Sequence, residues 1–369
     1  MTDIAAVLVL NVGSSSVKFR VLSADPDLSV LAEGRVTGIG SRPAFAVTGQ
    51  PLQPLEDPLD LDGAIGQVLA HVRQQSGWRL VAAGHRIVHG GEDFCTPVVL
   101  DGDSLARLER YIPLAPLHQR HNLAAVRALA RSYPELTQVG CFDTAFHAGH
   151  DAVTACYALP ASLRESGIRR YGFHGLSYEW IARVLDSQSG GIPERVVVAH
   201  LGSGASLCAL RAGRSVDTTM GMTALEGLPM GTRCGAIDPG AVLYMLQSLE
   251  IDSSEVLRLL HDESGLKGLS GGIADMADLL VSDRESARLA VDYFVLRTAQ
   301  KIGEMVVSLG GMDTLVFTGG IGENAPVIRE RIQQRLGFLP PFEVQLIPAD
   351  EERMIALHTL NLLERLEQD

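Results

Sequence analysis

Two stretches of the chain align without a gap. Val7-Leu-Val-Leu-Asn11-Val-Gly13-Ser14 and Val196-Val-Val-Ala-His200-Leu-Gly202-Ser203 each run from an apolar segment through one polar residue to an apolar residue and Gly-Ser. A β-branched apolar run that ends in a tight polar turn reads as strand-turn-strand. After the first turn, Val17, Phe19 and Val21 alternate with Lys18 and Arg20, so the chain returns as a half-buried strand. Each copy opens what would be one half of the protein. The pattern therefore predicts a tandem duplication, with two such loops facing each other across a cleft. A tip of Gly and Ser leaves backbone N–H groups and hydroxyls free to reach an anion, and Lys18 adds a point charge. Neither copy is a Walker loop, because no Gly-Lys-Ser/Thr follows and the chain returns as a strand.

With 369 residues the chain has room for two domains. A hydrophobic share of 46% against 20% charged residues supports large cores and argues against disorder. The net charge of −13 argues against nucleic acid or an anionic membrane as partner, so positive charge for an anionic ligand must be concentrated locally. Cys95, Cys141, Cys156, Cys208 and Cys234 are scattered and form no Cys-x-x-Cys, which fits a reducing cytoplasm better than a disulfide framework or a zinc site. The first apolar run follows Asp3 without a basic leader and does not read as a signal peptide. No stretch approaches the roughly 18 apolar residues of a membrane span.

Strands and helices alternate, which predicts α/β layers. Leu22–Pro58 reads as β structure with loops. Helices are expected over Asp60–Gln75, Ser104–Tyr111 and Asn122–Ser132, and strands over Arg79–Gly91 and Gln138–Phe142. A second block predicts a helix over Ser177–Leu185, strand-turn-strand over Arg195–Ala209, and helices over Pro239–Ser248, Ser254–Leu260 and Glu285–Leu309. Leu315–Thr318 reads as a strand, Gly319–Asn324 as a glycine loop and Val327–Leu336 as a helix. Glu343–Ile347 is expected as a last strand and Glu351–Leu366 as the closing helix.

Several segments carry candidate chemistry. In Gly84-His-Arg86-Ile-Val-His89-Gly-Gly-Glu92, alternation puts His85, Ile87 and His89 on one face and Arg86 on the other. Histidines four apart on a strand do not suit a metal, whereas the Arg86 fork suits carboxylate or phosphate. Phe142-Asp143-Thr-Ala-Phe-His147 places an acid at the end of a buried strand, where ligands sit in α/β sheets. Tyr171-Gly-Phe-His174-Gly175 presents a histidine between glycines. Gly227–Gly240 is a glycine-dense loop with one arginine, Arg233, too long to be a plain connector. Gly319–Asn324 follows a strand and opens a helix, a context that favours backbone contact with a nucleotide. It lacks the dinucleotide spacing, so a nicotinamide cofactor is not expected. Asp350-Glu351-Glu352 opens the last helix, where acids favour the dipole.

Taken in order, these motifs resemble the acetate kinase family almost end to end: Asn-x-Gly-Ser-Ser-Ser-x-Lys at 11–18, His-Arg-x-Val-His-Gly-Gly-Glu at 85–92, Phe-Asp-Thr-Ala-Phe-His at 142–147, Tyr-Gly-Phe-His-Gly at 171–175, Met-Gly-Thr-Arg at 230–233 and Gly-Ile-Gly-Glu-Asn at 320–324. The resemblance implies an α/β fold of duplicated ribonuclease-H-like domains, that of the acetate and sugar kinase/actin (ASKHA) superfamily, with an interdomain cleft. It places an N-terminal domain at 1–147 plus 355–369 and a nucleotide-binding domain at 148–354. By the same resemblance Asn11 and Glu351 would help hold Mg²⁺, or Mn²⁺ in its place, and Ser14, Ser16 and Lys18 would line the phosphate side. Arg86 would hold the substrate carboxylate. Asp143 would be the catalytic acid residue, and His174 and Arg233 would stabilise the transferring phosphoryl group. His200, Leu201, Gly202, Ser203 and Gly204, Asp275 and Met276, and Gly320, Ile321, Gly322, Glu323 and Asn324 would contact ATP or ADP. An apolar acyl pocket, a homodimer and a cytoplasmic enzyme are implied as well.

The implied reaction is reversible, Mg²⁺-dependent, direct in-line transfer from ATP to acetate, giving acetyl phosphate. A carboxylate acceptor with a pKa of roughly 4 is already ionised, so no general base is required. The barrier lies in bringing two anions together and in the charge on a loose phosphoryl group, which arginines, a histidine and a metal address. Propionate or another short-chain carboxylate is the alternative acceptor, and a nucleotide-binding regulator on the same fold is the alternative class. Ser203 stands where the family usually has Asn, and Ala277 where an Arg usually follows.

Overall fold

The computed structural model describes residues 3–368 apart from Ser14, Ser76 and Leu117. In chain order the elements begin β1 (Ile4–Val12), β2 (Ser16–Ser23), β3 (Val30–Thr37), β4 (Ala44–Val47), β5 (Gln53–Pro54), α1 (Leu61–Gln74) and β6 (Trp78–Ile87). There follow β7 (Val98–Val99), α2 (Gly102–Glu109), α3 (Gln119–Ser132), β8 (Thr137–Phe142), α4 (Ala152–Ala155), α5 (Ala161–Glu165) and α6 (Gly175–Asp186). The middle of the chain forms β9 (Arg195–Leu201), β10 (Ala205–Arg211), β11 (Arg214–Thr218), α7 (Pro239–Gln247), α8 (Ser253–Asp262), α9 (Gly265–Ser270), α10 (Met276–Val281) and α11 (Glu285–Leu309). It closes with β12 (Thr314–Thr318), α12 (Gly319–Asn324), α13 (Pro326–Arg335), β13 (Glu343–Leu346) and α14 (Glu351–Gln368).

The chain divides into two compact units, Met1–Ala145 with Asp350–Asp369, and Phe146–Ala349. The first holds a sheet of order β5-β4-β3-β2-β1-β6-β8-β7, and the second a sheet of order β11-β10-β9-β12-β13. The run β3-β2-β1-β6-β8 repeats as β11-β10-β9-β12-β13. In each, an antiparallel hairpin is flanked by two parallel additions, β1 with β6 and β6 with β8, then β9 with β12 and β12 with β13. The sequence repeat is thus a repeat of topology.

In the first unit, alternation along β1 and β2 sends Leu8, Leu10, Val12, Val17, Phe19 and Val21 to one face. There they meet Ile65, Val68, Leu69 and Val72 of α1 and Ala125 and Leu129 of α3. Helix α1 starts where Asp60 accepts the Gly63 N–H at 2.8 Å, an N-cap that satisfies a first-turn donor. The opposite face is covered by α14, which buries Met354, Ile355, Ala356 and Thr359. Gly84 of β6 makes this approach possible, because a Cβ there would lie 2.5 Å from both Ile355 Cγ2 and Thr359 Oγ1. In the second unit α6 packs Tyr178, Ile181 and Leu185 against Val196, Val198, Cys208, Leu210 and Val316 of the sheet. The long helix α11 takes the other face and stops at Gly310, whose φ of +70° suits glycine at a helix end.

One expected loop is a helix. Gly319–Asn324 forms α12 rather than a glycine loop. Its entry needs Gly319 at φ +78°, where a Cβ would lie 2.8 Å from the Leu201 carbonyl oxygen. The helix is then braced by its own polar side chains: Gly319 N donates to Glu323 Oε1 at 2.9 Å, and Asn324 Nδ2 donates to the Gly320 carbonyl at 2.9 Å. Glycine content argued for a loop, and these local bonds override it.

Candidate active site

In the first unit the chemistry gathers on the sheet face that α14 covers. Residues directly opposite in an antiparallel pair share a face, so the register Asn11 with Lys18 and Val9 with Arg20 puts Asn11, Lys18 and Arg20 together. Arg20 reaches Asp350 Oδ1 of the segment leading into α14 at 2.5 Å, and also Glu33 at 3.3 Å and Glu352 at 3.9 Å. The turn between the strands closes through Gly13 N donating to the Ser16 carbonyl at 2.9 Å. Ser14 lies outside the described residues. Lys18 is exposed and, among the described residues, makes no ion pair.

Arg86 lies on the same face, two residues after Gly84. Its Nε donates to Asp143 at 3.0 and 3.1 Å, its Nη2 at 2.8 Å, and its Nη1 lies 3.4 Å from Glu351. Asp143 is held by its own N–H donating to the Ile87 carbonyl at 3.0 Å, so β6 and β8 set both partners. The Asp143 side chain is 2% exposed, Arg86 19% and Glu351 13%. Burial disfavours the guanidinium charge, but the carboxylates of Asp143 and Glu351 outweigh it and lock Arg86 in the charged form. Burial lifts the Asp143 carboxyl above the ordinary range, with Arg86 pulling against it and Glu351 adding to it. Burial and the neighbouring Glu351 likewise raise Glu352. His85 and Ile87 face the other way, as expected, with His85 Nε2 and the Gln138 side chain 2.8 Å apart.

This corner holds more carboxylate than guanidinium, since Asp143 and Glu351 both turn to Arg86. An oxygen-donor set with surplus negative charge suits a hard divalent cation. Among the described residues no group of three or more His, Cys, Asp or Glu forms a metal cage.

The second unit assembles a different set. The β9–β10 hairpin turns through Gly202 N donating to the Gly204 carbonyl at 3.0 Å. His174 precedes α6 at φ +58°, in the left-handed region, and lies 2.8 Å from Ser206 Oγ through Nδ1. Its ring stacks on His200 with centroids 4.4 Å apart, and His200 Nδ1 lies 2.8 Å from Ser177 Oγ. A Cβ on Gly204 would stand 3.4 Å from His174 Nε2 and 4.0 Å from Arg233 Nη1, so both converge on the hairpin tip. Arg233 Nη1 donates to the Ala224 carbonyl at 3.1 Å. Its loop is tied to the tip by Gly231 N donating to the Ser203 carbonyl at 3.1 Å, and to α9 by Leu266 N and Lys267 N donating to Met230 and Gly231. Gly320 N would be 3.8 Å from a Cβ on Gly202, which brings the start of α12 to the same tip. The 274–276 segment joins through Ala274, whose carbonyl oxygen would be 3.3 Å from a Cβ on Gly231.

Not every expected ligand points outward. Asp275 caps α10, accepting from Ala277 N at 2.8 Å and Asp278 N at 3.4 Å. Met276 is buried, as is Leu201. Glu323 Oε1 accepts from Ala349 N at 3.0 Å as well as from Gly319 N, so its carboxylate shapes the loop. Sequence reasoning overlooked Arg20, Glu352, Ser177 and Ser206. Arg20 was findable, because period-2 alternation puts it beside Lys18.

The Acetokinase family model matches residues 6–356. The chain belongs to the acetokinase family. It is 47% identical to the acetate kinase of Nitrobacter hamburgensis, over 97% of this chain and 96% of that one. Among solved structures, a propionate kinase from Francisella tularensis superposes with a TM-score of 0.91 at 34% identity, covering 97% of this chain and 99% of the other. The Porphyromonas gingivalis acetate kinase superposes at 0.85 with 34% identity, covering 97% and 100%. The two repeated sheets are accordingly the duplicated ASKHA fold.

Proposed function

We propose that the chain catalyses reversible transfer of the ATP γ-phosphoryl group to acetate, giving acetyl phosphate and ADP. Arg86 carries the reading. It is a guanidinium held permanently charged, with Nε and Nη2 bonded to Asp143 and Nη1 3.4 Å from Glu351, so that an incoming carboxylate would meet the fork at Nη1 and share it with Glu351. Asp143 orients that fork and, in return, is kept from standing as an unpaired buried charge. One acetate oxygen attacks the γ-phosphorus directly. The new P–O bond forms as the bond to the β-phosphate oxygen breaks, and its electron pair leaves with ADP. Because acetate arrives ionised, no residue removes a proton.

In the second unit His174 and Arg233, converging on Gly204, supply donors for the equatorial oxygens of the phosphoryl group. The hairpin tip at His200–Gly204 and the start of α12 supply the nucleotide side. Asn11 and Glu351 would hold Mg²⁺, for which Mn²⁺ can substitute; bound there, the ion neutralises charge on the phosphate oxygens. We also propose a homodimer. Helix α7 has no buried residue although Ala241 to Leu246 are all apolar or aromatic, and Leu243, Tyr244 and the following Leu249 are more than half exposed. A second copy of this chain is the partner that would cover them, and sedimentation of the wild type against Leu243→Glu tests it. Among the described residues no helix is long and apolar enough to cross a membrane.

The deciding assay traps acyl phosphate as hydroxamate with hydroxylamine, using ATP, Mg²⁺ and a series of short carboxylates. Product with acetate, at a kcat/KM several-fold above propionate, supports the reading; a methylene in an apolar pocket is worth about 1–3 kcal/mol. Absence of hydroxamate with every acid ends it.

A further inference from the structure

His147 ends the Phe-Asp-Thr-Ala-Phe-His segment, four residues after Asp143, and none of the roles above uses it. It is 2% exposed. Its Nε2 lies 3.0 Å from the carbonyl oxygen of Phe173, the residue before His174. Its Nδ1 lies 2.8 Å from Ser215 Oγ, which is itself 2.7 Å from His150 Nε2 and 3.3 Å from Cys208 Sγ.

A carbonyl can only accept, so the proton of the neutral ring sits on Nε2. Nδ1 must then accept, and the Ser215 hydroxyl donates to it. Having spent its hydrogen, Ser215 Oγ accepts from His150 Nε2–H and from the Cys208 thiol. Every donor in the chain finds an acceptor, and the direction of the whole relay is fixed by the Phe173 carbonyl. Burial pushes His147 down to about 3 and His150 to about 4, so both rings stay neutral at pH 7 and the relay persists.

The backbone that this relay grips is unusual. Gly172 has φ +82° and His174 φ +58°. A Cβ on Gly172 would lie 2.6 Å from His147 Cδ2, so the ring lies against that glycine. A non-glycine residue in the left-handed region costs about 1–2 kcal/mol and persists only where its surroundings hold it. On the far side His174 is anchored by Tyr178 N donating to its carbonyl at 3.1 Å. On the near side Tyr171 N and Gly172 N donate to the Gly221 carbonyl at 3.0 and 3.2 Å, and the side-chain grip nearest His174 is His147 on Phe173.

We propose that His147, with its tautomer set by Ser215, is a positioning residue that clamps the Phe173 carbonyl and so holds His174 in the conformation that aims it at Gly204. The proposal rests on the phosphoryl-stabilising role of His174 given above. The clamp acts on turnover rather than on binding, because His147 touches no ligand-facing group itself.

The test is a mutant cycle on the full-length protein, with kcat, the KM for ATP and acetate, and Tm measured throughout. His147→Ala should lower kcat about 10- to 100-fold, the scale of a misplacement near 1 Å, with both KM values within about threefold. His147→Gln, whose amide nitrogen can occupy the Nε2 position, should recover most of that loss. Ser215→Ala frees the tautomer and should fall between, and it serves if His147→Ala does not fold. In a His174→Ala background, His147→Ala should change kcat by less than about twofold, because the group it positions is gone. If His147→Ala lowers kcat as much without His174 as with it, or if Gln is as poor as Ala at an unchanged Tm, the clamp is overturned while the role of His174 stands. If His174→Ala alone keeps full kcat, the reading of the site fails instead.

Discussion

The two hairpins show what a duplication keeps and what it discards. In β1–β2 and in β9–β10 the next-to-last residue of the first strand is polar and lies two places before a glycine, and a parallel strand runs alongside it. Leu10 pairs with His85, and His200 pairs with Thr318. The first turn closes from Gly13 to Ser16, the second from Gly202 to Gly204, one residue tighter. The chemistry placed on this common frame differs. The first unit carries a buried ionic corner, Arg86 with Asp143 and Glu351. The second carries the imidazoles of His174 and His200 beside the hydroxyls of Ser206 and Ser177, with Arg233 bonded to a carbonyl. Backbone hydrogen bonding is sequence-tolerant and survives duplication, whereas charge placement depends on a few side chains and diverges. On the function proposed above, the first set would meet the substrate carboxylate and the second the phosphoryl group.

The largest effect should separate the two arginines. Arg86→Ala leaves Asp143 and Glu351 facing each other in a buried corner, so it should cost about 3–5 kcal/mol of stability and nearly all activity. Arg233→Ala should cost about 10²–10³-fold in kcat and less stability than Arg86→Ala, the bond to the Ala224 carbonyl being worth about 0.5–1.5 kcal/mol. Hydroxamate rates and urea midpoints measured together check both. Equal stability losses would erase the contrast between the two arginines.

Acid should weaken both halves, the second more than the first: burial pushes His85 of the first unit down to about 4 and lowers His71, while the second unit holds both His147 and His150. His147 and His150 titrate near 3 and 4 when folded but near 6.5 when unfolded, so the unfolded chain takes up protons first as pH falls below 6.5. Each histidine then removes up to about 1.4 kcal/mol of stability per pH unit from the second unit. In the first unit the folded carboxyls of Asp143 and Glu352 lie above their unfolded values, so the folded form binds their protons more tightly. Acidification through the carboxylate range therefore relieves a penalty there and offsets part of the loss from His85. Native-state hydrogen exchange at pH 7 and pH 5 should show β9 amides losing more protection free energy than β1 amides. In His150→Gln the β9 loss should shrink; an unchanged slope would mean that these rings are not the source.

The hairpins were legible in the sequence because strand patterning and Gly-Ser turns are local. So were the Asp60-capped helix and the closing helix. The ionic corner was only half legible. Arg86 and Asp143 announced themselves at strand ends, but nothing in spacing says that Glu351, 265 positions after Arg86, reaches the same guanidinium. That contact follows from Gly84, whose missing side chain lets α14 settle on β6. Ser215 was illegible for the same reason, because only the fold brings it to His147, 68 positions away. Strand β11 escaped notice since Arg214–Thr218 is short and mixed in polarity. The helix at Gly319–Asn324 was misread because glycine content was weighed without the Glu323 and Asn324 bonds that brace it.

Two glycines sharpen the comparison at smaller scale. Gly84→Ala must push Ile355 or Thr359 aside, both 2.5 Å from the new Cβ, so α14 should shift and Glu351 with it. Overpacking of this kind costs about 1–3 kcal/mol, and a roughly tenfold loss of kcat should accompany it because Arg86 loses a partner. A variant that is less stable but fully active would detach the seating of α14 from the site.

Gly322→Ala is the counterpart in the second unit, and its effect should be the smallest. Gly322 sits inside α12 with ordinary helical φ. A Cβ there would stand 3.6 Å from the Ala199 carbonyl oxygen and 3.7 Å from Phe317 Cβ, which is normal van der Waals contact. The new methyl would point at strand residues of its own unit, away from the hairpin tip that meets Gly320. Replacing a helical glycine by alanine gains up to about 1 kcal/mol by restricting the unfolded chain. The expected result is a Tm raised by a few degrees with the KM for ATP unchanged. A raised KM would mean that nucleotide comes closer to α12 than the start of its first turn, and would move the nucleotide contact from Gly320 deeper into the helix.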